Sequence, residues 1–113
     1  VIDLPAGLVG DEGTNDPVAT AHKELEEETG YTCQSVELLA SGPTSPGITS
    51  ETVSFYRARK VAKAGEGGGV AGEEITVHAI ALDTLDAWLE ERHRAGVLID
   101  AKIWGARYWL SLS

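Results

Sequence analysis

The chain has no methionine, one cysteine, nine basic residues against eighteen acidic ones, and no apolar run long enough to cross a bilayer. Each shortage excludes something. The single cysteine, Cys33, cannot close an internal disulfide, and no Cys/His cluster offers a zinc site, so a reducing cytoplasmic setting is the default, with Cys33 buried and inert. The net charge of -9 argues against a nucleic-acid partner, which calls for a basic stripe, and the lack of a long apolar run argues against a membrane. An anionic substrate would have to be attracted by something other than net charge. What is present, 113 residues of which 42% are apolar, has the size and composition of one soluble domain spanning residues 1–113. It opens at Val1 inside the strand-like "VIDL", so further residues are expected upstream.

Local signals divide the chain into short elements. After "VIDL", the stretch "LPAGLVGDEGTN" reads as a loop. Asp16 then offers an N-cap, Pro17 fits the first helical position where no N–H is needed, and Gly30 suits the left-handed residue past the end, so a helix is expected over 17–29. "SVELLASG", "TVSFYRARKVA" and "ITVHAIAL" are rich in β-branched or aromatic residues and read as strands; the Gly-rich "KAGEGGGVAGEE" before the last of them reads as a flexible loop. Asp83 and Asp100 stand where N-caps would open two more helices, in which Leu85, Trp88, Leu89 and Ile103, Arg107, Leu110 recur at helical spacing. Trp88 and Trp104 are expected in the core, and Arg57, Arg59 and His78 on strands. The order predicts an α/β fold, a mixed sheet with helices on its faces.

The helix over 17–29 carries the chemistry. "HKELEEETGY", residues 22–31, holds four glutamates, although acids three or four apart on a helix repel one another. At about 100° per residue, Val18, Ala21 and Leu25 form a narrow apolar stripe, while Glu24, Glu27 and Glu28 share a neighbouring face and Glu26 points away. A run of acids is ordinarily a solvated face. Three carboxylates beside a buried stripe, however, raise one another's pKa unless a cation lies between them, and Mg²⁺ takes such oxygen ligands while leaving positions open for substrate phosphates.

"LPAG" before the helix and "KELEEETGY" within it resemble the Nudix hydrolase motif, G-x5-E-x7-R-E-U-x-E-E-x-G-U. Glu24, Leu25, Glu27, Glu28, Gly30 and Tyr31 occupy their slots. The resemblance implies a Nudix fold, with its N-terminal strands expected to be missing from this chain, and a loop–helix–loop binding Mg²⁺ or Mn²⁺ through Glu24, Glu27 and Glu28, helped by a backbone carbonyl near Ala6 or Gly7. Three features depart from the motif. Lys23 replaces its arginine, Asn15 stands where its first glutamate belongs, and the segment from Gly7 to Lys23 is two residues longer. Arginine and glutamate are partners in the family, so losing both leaves neither charge uncompensated. Lys23 still offers Glu27 a point charge, without arginine's planar fork, and Glu12 or Asp16 is a candidate for the missing carboxylate.

Downstream, Pro46 and Gly47 in "TSPGITSE", then "GEEITVHAIALDTLDAWLEE" and "GVLIDAKIWGARYWL" with its "DAK" helix opening, resemble the ADP-ribose pyrophosphatase branch, which also includes GDP-mannose hydrolases. This implies Mg²⁺-dependent hydrolysis of the pyrophosphate of ADP-ribose or a related nucleoside diphosphate sugar, giving AMP and a sugar phosphate, in a homodimer. Glu73 or Glu74, closing the Gly-rich loop, is the expected base beside Glu28. Pro46, Gly47 and Glu51 are expected near substrate. The alternative is a catalytically impaired domain that binds nucleotide sugars or acts as a regulatory module. No Ser/His/Asp triad or P-loop can be assembled.

Overall fold

In the computed structural model residues 1–7, 16–69 and 74–113 are described, and the expected α/β class holds. The first helix, α1 (Pro17–Thr29), has the bounds that its local signals predict. Asp16 accepts a hydrogen bond from the Val18 N–H at 3.0 Å, and Gly30 adopts a left-handed φ of 78° at the other end. Two residues, β1 (Tyr31–Thr32), pair antiparallel with β4 (Ala62–Lys63). A longer antiparallel hairpin joins β2 (Ser35–Pro43) to β3 (Thr52–Arg59), in register from Ser35 opposite Arg59 to Pro43 opposite Thr52, with a bulge between Leu38 and Ala40. Across it, the Arg59 guanidinium donates to both oxygens of Glu37 at 3.2 and 3.3 Å.

A 3₁₀ turn (Leu82–Thr84) leads into α2 (Leu85–Arg94), and α3 (Ala101–Ser111) follows. Asp100 caps α3, accepting from the Lys102 N–H at 2.8 Å. Asp83 does not cap α2: the chain spends it in the 3₁₀ turn, and Thr84, the N-cap residue, makes no side-chain cap bond.

The strands differ from the expected single sheet. Among the described residues they form two separate two-stranded ladders. "VIDL" contributes only Ile2, in an isolated parallel bridge to Ile99 fastened by Ile2 N–H to the Leu98 carbonyl at 2.8 Å and Asp100 N–H to the Ile2 carbonyl at 2.9 Å. Residues 75–81 of "ITVHAIAL" carry no strand. β-propensity describes a chain that fits a ladder and does not supply the ladder's other side.

Buried apolar side chains among the described residues are Leu89 of α2 and Ile103 of α3, both on the predicted helical repeats. Trp104 is 42% exposed, contrary to the core position expected of it, and Trp88 is half-buried with its ring 5.3 Å from that of His78. Cys33 is half-buried, not buried, and its Sγ lies 3.4 Å from Nδ1 of His22. The expected apolar stripe of α1 is also displaced. Val18 is exposed, and the buried side chain of α1 is Thr20, which helical geometry puts on the acid-bearing side near Glu24 and Glu27.

Candidate metal and phosphate site

The "LPAG" loop lies directly on the acidic helix. The Ala6 N–H donates to Oε2 of Glu28 at 2.9 Å, across 22 residues of sequence. At the next residue, a Cβ built on Gly7 would come within 2.6 Å of Cδ and Oε1 of Glu24. A side chain at this position would have to push the Glu24 carboxylate aside. Thus Glu28 and Glu24, one helical turn apart, meet successive residues of the loop, Ala6 and Gly7.

Glu27 lies between them in sequence with its Oε1 at 3.9 Å from Nζ of Lys23. The distance marks a loose ion pair between partly exposed groups, the point charge expected of lysine in place of an arginine fork. Glu26 is exposed.

Three acids crowd the last turn of α1, where no basic residue is found. That end carries the negative pole of the helix dipole, so carboxylates there are disfavoured and a cation is favoured. The carbonyls of this turn are occupied by backbone donors: Gly30 N–H on Glu26 at 2.9 Å, Gly69 N–H on Glu27 at 2.8 Å and Gly68 N–H on Glu28 at 2.8 Å. The donor set of Glu24, Glu27, Glu28 and the Ala6 backbone fits a hard divalent ion by its chemistry, since every ligand atom it offers is oxygen. Among the described residues no three Asp, Glu, His or Cys side chains are already gathered into an ion cage.

The remaining candidates are distributed differently. Pro46 and Gly47 are exposed in the turn joining β2 to β3, where Gly47 takes a left-handed φ of 83°. Glu51 closes that turn, its Oε1 accepting from the Thr44 hydroxyl at 3.0 Å. Glu74 is exposed at the start of the unladdered segment. Glu73, Glu12 and Asn15 lie outside the described residues.

Lys102 is the residue that sequence reasoning missed. Its Nζ lies 2.9 Å from the Asp100 carboxylate, and this hydrogen bond, with the nearby charges of Asp3, Asp100 and Glu51, holds the ammonium above its ordinary pKa. The signal was the lysine in "DAK", present in the quoted motif without a role.

A second missed feature is Thr20. Its hydroxyl oxygen is buried without a hydrogen-bond partner, on the side of α1 that carries Glu24 and Glu27. Helical spacing from the acids would have marked the position, but not its burial.

A NUDIX domain model matches residues 1–98. The chain is 36% identical over 93 residues to a methanol dehydrogenase activator of Bacillus methanolicus, covering 81% of this chain and 49% of that protein. A GDP-mannose pyrophosphatase of Cronobacter sakazakii is 36% identical over 104 residues, covering 90% of this chain and 51% of its own. An ADP-ribose pyrophosphatase of Bacillus subtilis is 38% identical over 61 residues, 54% of this chain and 32% of its own. The chain spans about half the length of the first two of these relatives.

Proposed function

The chain belongs to the NUDIX domain family, and from that premise we propose that it takes part in Mg²⁺- or Mn²⁺-dependent hydrolysis of the pyrophosphate bond of a nucleoside diphosphate sugar such as ADP-ribose or GDP-mannose. The observation that carries the proposal is the seat of the Ala6–Gly7 backbone on Glu28 and Glu24. A loop held this way brings backbone and two carboxylates together at the cation-favouring end of a helix. Homologues named GDP-mannose pyrophosphatase and ADP-ribose pyrophosphatase support the substrate class.

In this proposal Glu24, Glu27, Glu28 and the Ala6 backbone hold the ion. A bound divalent cation supplies charge neutralisation at phosphate oxygens and a more acidic water. The chain's own groups do the rest. The Ala6 N–H fixes one oxygen of Glu28, and Lys23 restrains Glu27. Glu73 or Glu74 takes the proton from the attacking water as one phosphate leaves. Pro46, Gly47 and Glu51 border the substrate.

The other reading, a nucleotide-sugar binding or regulatory module without turnover, draws on the loose Lys23–Glu27 pair. Both readings retain a homodimer in the cytoplasm. Val1, Ile48 and Leu98 are exposed apolar side chains, and no described helix is long and apolar enough to cross a membrane.

The test is a panel of ADP-ribose, GDP-mannose and other nucleoside diphosphate sugars with product identification, with and without Mg²⁺ or Mn²⁺. Cation-dependent release of a nucleoside monophosphate and a sugar phosphate is the expected result. Binding of a panel member without release favours the module, and neither binding nor release defeats both.

A further inference from the structure

The Gly-rich loop after β4 is fastened, over its first half, to the end of α1. The Ala64 and Gly65 N–H groups both donate to the Gly30 carbonyl, at 2.7 and 3.0 Å, and Gly68 and Gly69 donate to the carbonyls of Glu28 and Glu27, each at 2.8 Å. Four backbone donors of this loop thus meet the last turn of α1 and its left-handed cap. The two backbones also touch. A Cβ built on Gly67 would lie 2.7 Å from the Gly30 nitrogen and 2.8 Å from the Glu28 carbonyl oxygen, and one built on Gly30 would lie 2.7 Å from the Gly65 carbonyl carbon and 2.8 Å from the Gly67 nitrogen. Neither position has room for any side chain, and both have a positive φ, 72° and 78°. The glycines at 30 and 67 are therefore a matched pair serving close approach.

This contact falls on the turn that carries Glu27 and Glu28. A helix ending in three acids without a basic residue has a weak last turn, and a frayed last turn would let those carboxylates wander from the Ala6–Gly7 loop. We infer that residues 64–69 are a positioning element for the acid-bearing turn, with Gly67 as its contact residue. Gly67 has no side chain with which to contact a substrate or ion. It acts through the backbone of Glu27 and Glu28, so ion binding at the acids and closure of the loop on α1 are coupled, each favouring the other. The inference rests on the proposed ion site only for its second half, the coupling.

The test compares alanine substitutions that separate strain from collision. Gly67→Ala suffers both. Gly96→Ala, at a φ of 86° with nothing within 4 Å of the added Cβ, suffers strain alone; Gly65→Ala, in the same loop and also open, suffers neither; Gly68→Ala, at a φ of 92° with its nearest contact at 3.7 Å, is the mild variant should Gly67→Ala fail to fold. Two quantities are measured on the full chain: amide hydrogen exchange at Gly68, Gly69 and Gly30, and Mn²⁺ and Mg²⁺ affinity by calorimetry. Gly67→Ala is expected to speed exchange at these amides relative to those of α3 and to weaken Mn²⁺ binding about 10–100-fold, the usual loss when an outer support of a metal ligand is removed. Gly96→Ala, at a remote site, and Gly65→Ala, whose added Cβ meets nothing within 4 Å, should leave ion affinity within about twofold of the parent. Gly68→Ala should fall between. Faster exchange with unchanged ion affinity in Gly67→Ala or Gly68→Ala overturns the positioning role. So does a loss of affinity in Gly96→Ala as large as in Gly67→Ala, which would make the effect one of general stability. If the parent binds neither ion, the ion site fails separately. The clamp is then judged by exchange alone: slow Gly68 and Gly69 amides released together with the last turn of α1 support it, and rapid exchange in the parent overturns it.

Discussion

Helices α1 and α3 start in the same way, each capped by an aspartate two residues before the N–H it accepts, Asp16 for Val18 and Asp100 for Lys102. They are then held by different means. α3 buries Ile103, and the neighbouring α2 buries Leu89 and is joined to α3 by the two-pronged Arg107–Asp86 pair at 2.5 and 2.6 Å. α1 buries only a threonine among its side chains and is fixed by backbone groups from two loops, Ala6 and Gly7 at Glu28 and Glu24, and residues 64–69 at its last turn. Side-chain burial holds an element by area and is indifferent to small shifts. Backbone hydrogen bonds and glycine contacts fix distances, which is what a site for an ion and a phosphate needs. The C-terminal pair is therefore the stabilising half of this comparison and α1 the positioned half, and substitutions should separate the two.

The largest separation is expected at Glu28. Glu28→Gln keeps the shape and an acceptor for the Ala6 N–H while removing the charge, so thermal stability should change little. Hydrolysis of the best panel substrate should fall by about 10²–10⁴-fold, the size of effect expected when several kcal/mol of charge stabilisation is removed. Glu26→Gln, on an exposed position of the same turn, is the control. Equal effects at Glu26 and Glu28 would reduce the site to a diffuse acidic patch.

The converse belongs to Leu89, 1% exposed. Leu89→Ala should cost about 2–5 kcal/mol of stability by removing buried methyl groups and leaving a cavity. At temperatures where the variant is folded, its ion affinity should match the parent's. A loss of ion binding in folded Leu89→Ala would show that the two halves are not separable.

What was legible from sequence follows the same division. The bounds of α1 were readable because Asp16, Pro17 and Gly30 act within a few residues of themselves, and the acids could be set on one face by spacing and by resemblance to the Nudix motif. Segment 75–81 was not readable as unladdered, because its β-branched residues state a preference that only a partner strand can realise. Asp83 was misread for a subtler reason: Asp83 and Thr84 are both acceptable caps, and the 3₁₀ turn moves the helix start beyond the first. Gly67 lay in plain view within "EGGGVAGEE". Its density of glycine reads as a flexible loop, whereas at 67 the missing side chain serves contact with Gly30 and Glu28, a relation between residues far apart in the chain that no local pattern carries.

Acid should weaken the C-terminal half in a defined window. The Arg107 hydrogen bond holds the Asp86 carboxyl below its ordinary value of 3.8, and hydrogen bonds from the Lys102 side chain and backbone do the same for Asp100. A carboxyl depressed in the folded state stabilises fully above its unfolded pKa and loses that contribution as pH falls through the lower folded value. The parent should therefore lose stability below pH 3.8 more steeply than an Asp86→Asn, Asp100→Asn double variant, which has no such carboxyls to protonate. At the alkaline end the sign reverses for Lys102, whose raised pKa gives stability that is lost as pH rises through it from 10.5 upward. Thermal melts between pH 2.5 and 6 check the acid limb, and parallel curves for the two proteins would assign the acid loss to other carboxylates.

The smallest expected effect lies in the positioned half, at Thr20. Its side chain is 7% exposed and its hydroxyl oxygen is buried without a partner, even though a helical threonine can usually bond the carbonyl four residues back. Here that carbonyl, on Asp16, accepts from the Thr20 N–H at 3.0 Å. A buried hydroxyl without a bond costs free energy, so the nearly isosteric Thr20→Val should leave stability unchanged or raise it by up to about 1 kcal/mol. The sign discriminates between two roles. If Thr20 merely fills space beneath the acids, the valine variant is at least as stable and binds Mn²⁺ as the parent does. If the hydroxyl is kept because a bound ion's hydration shell reaches it, the same variant is more stable without the ion but binds it more weakly. Calorimetry and melting of one protein, with and without Mn²⁺, therefore decide whether the threonine belongs to the packing of α1 or to its chemistry.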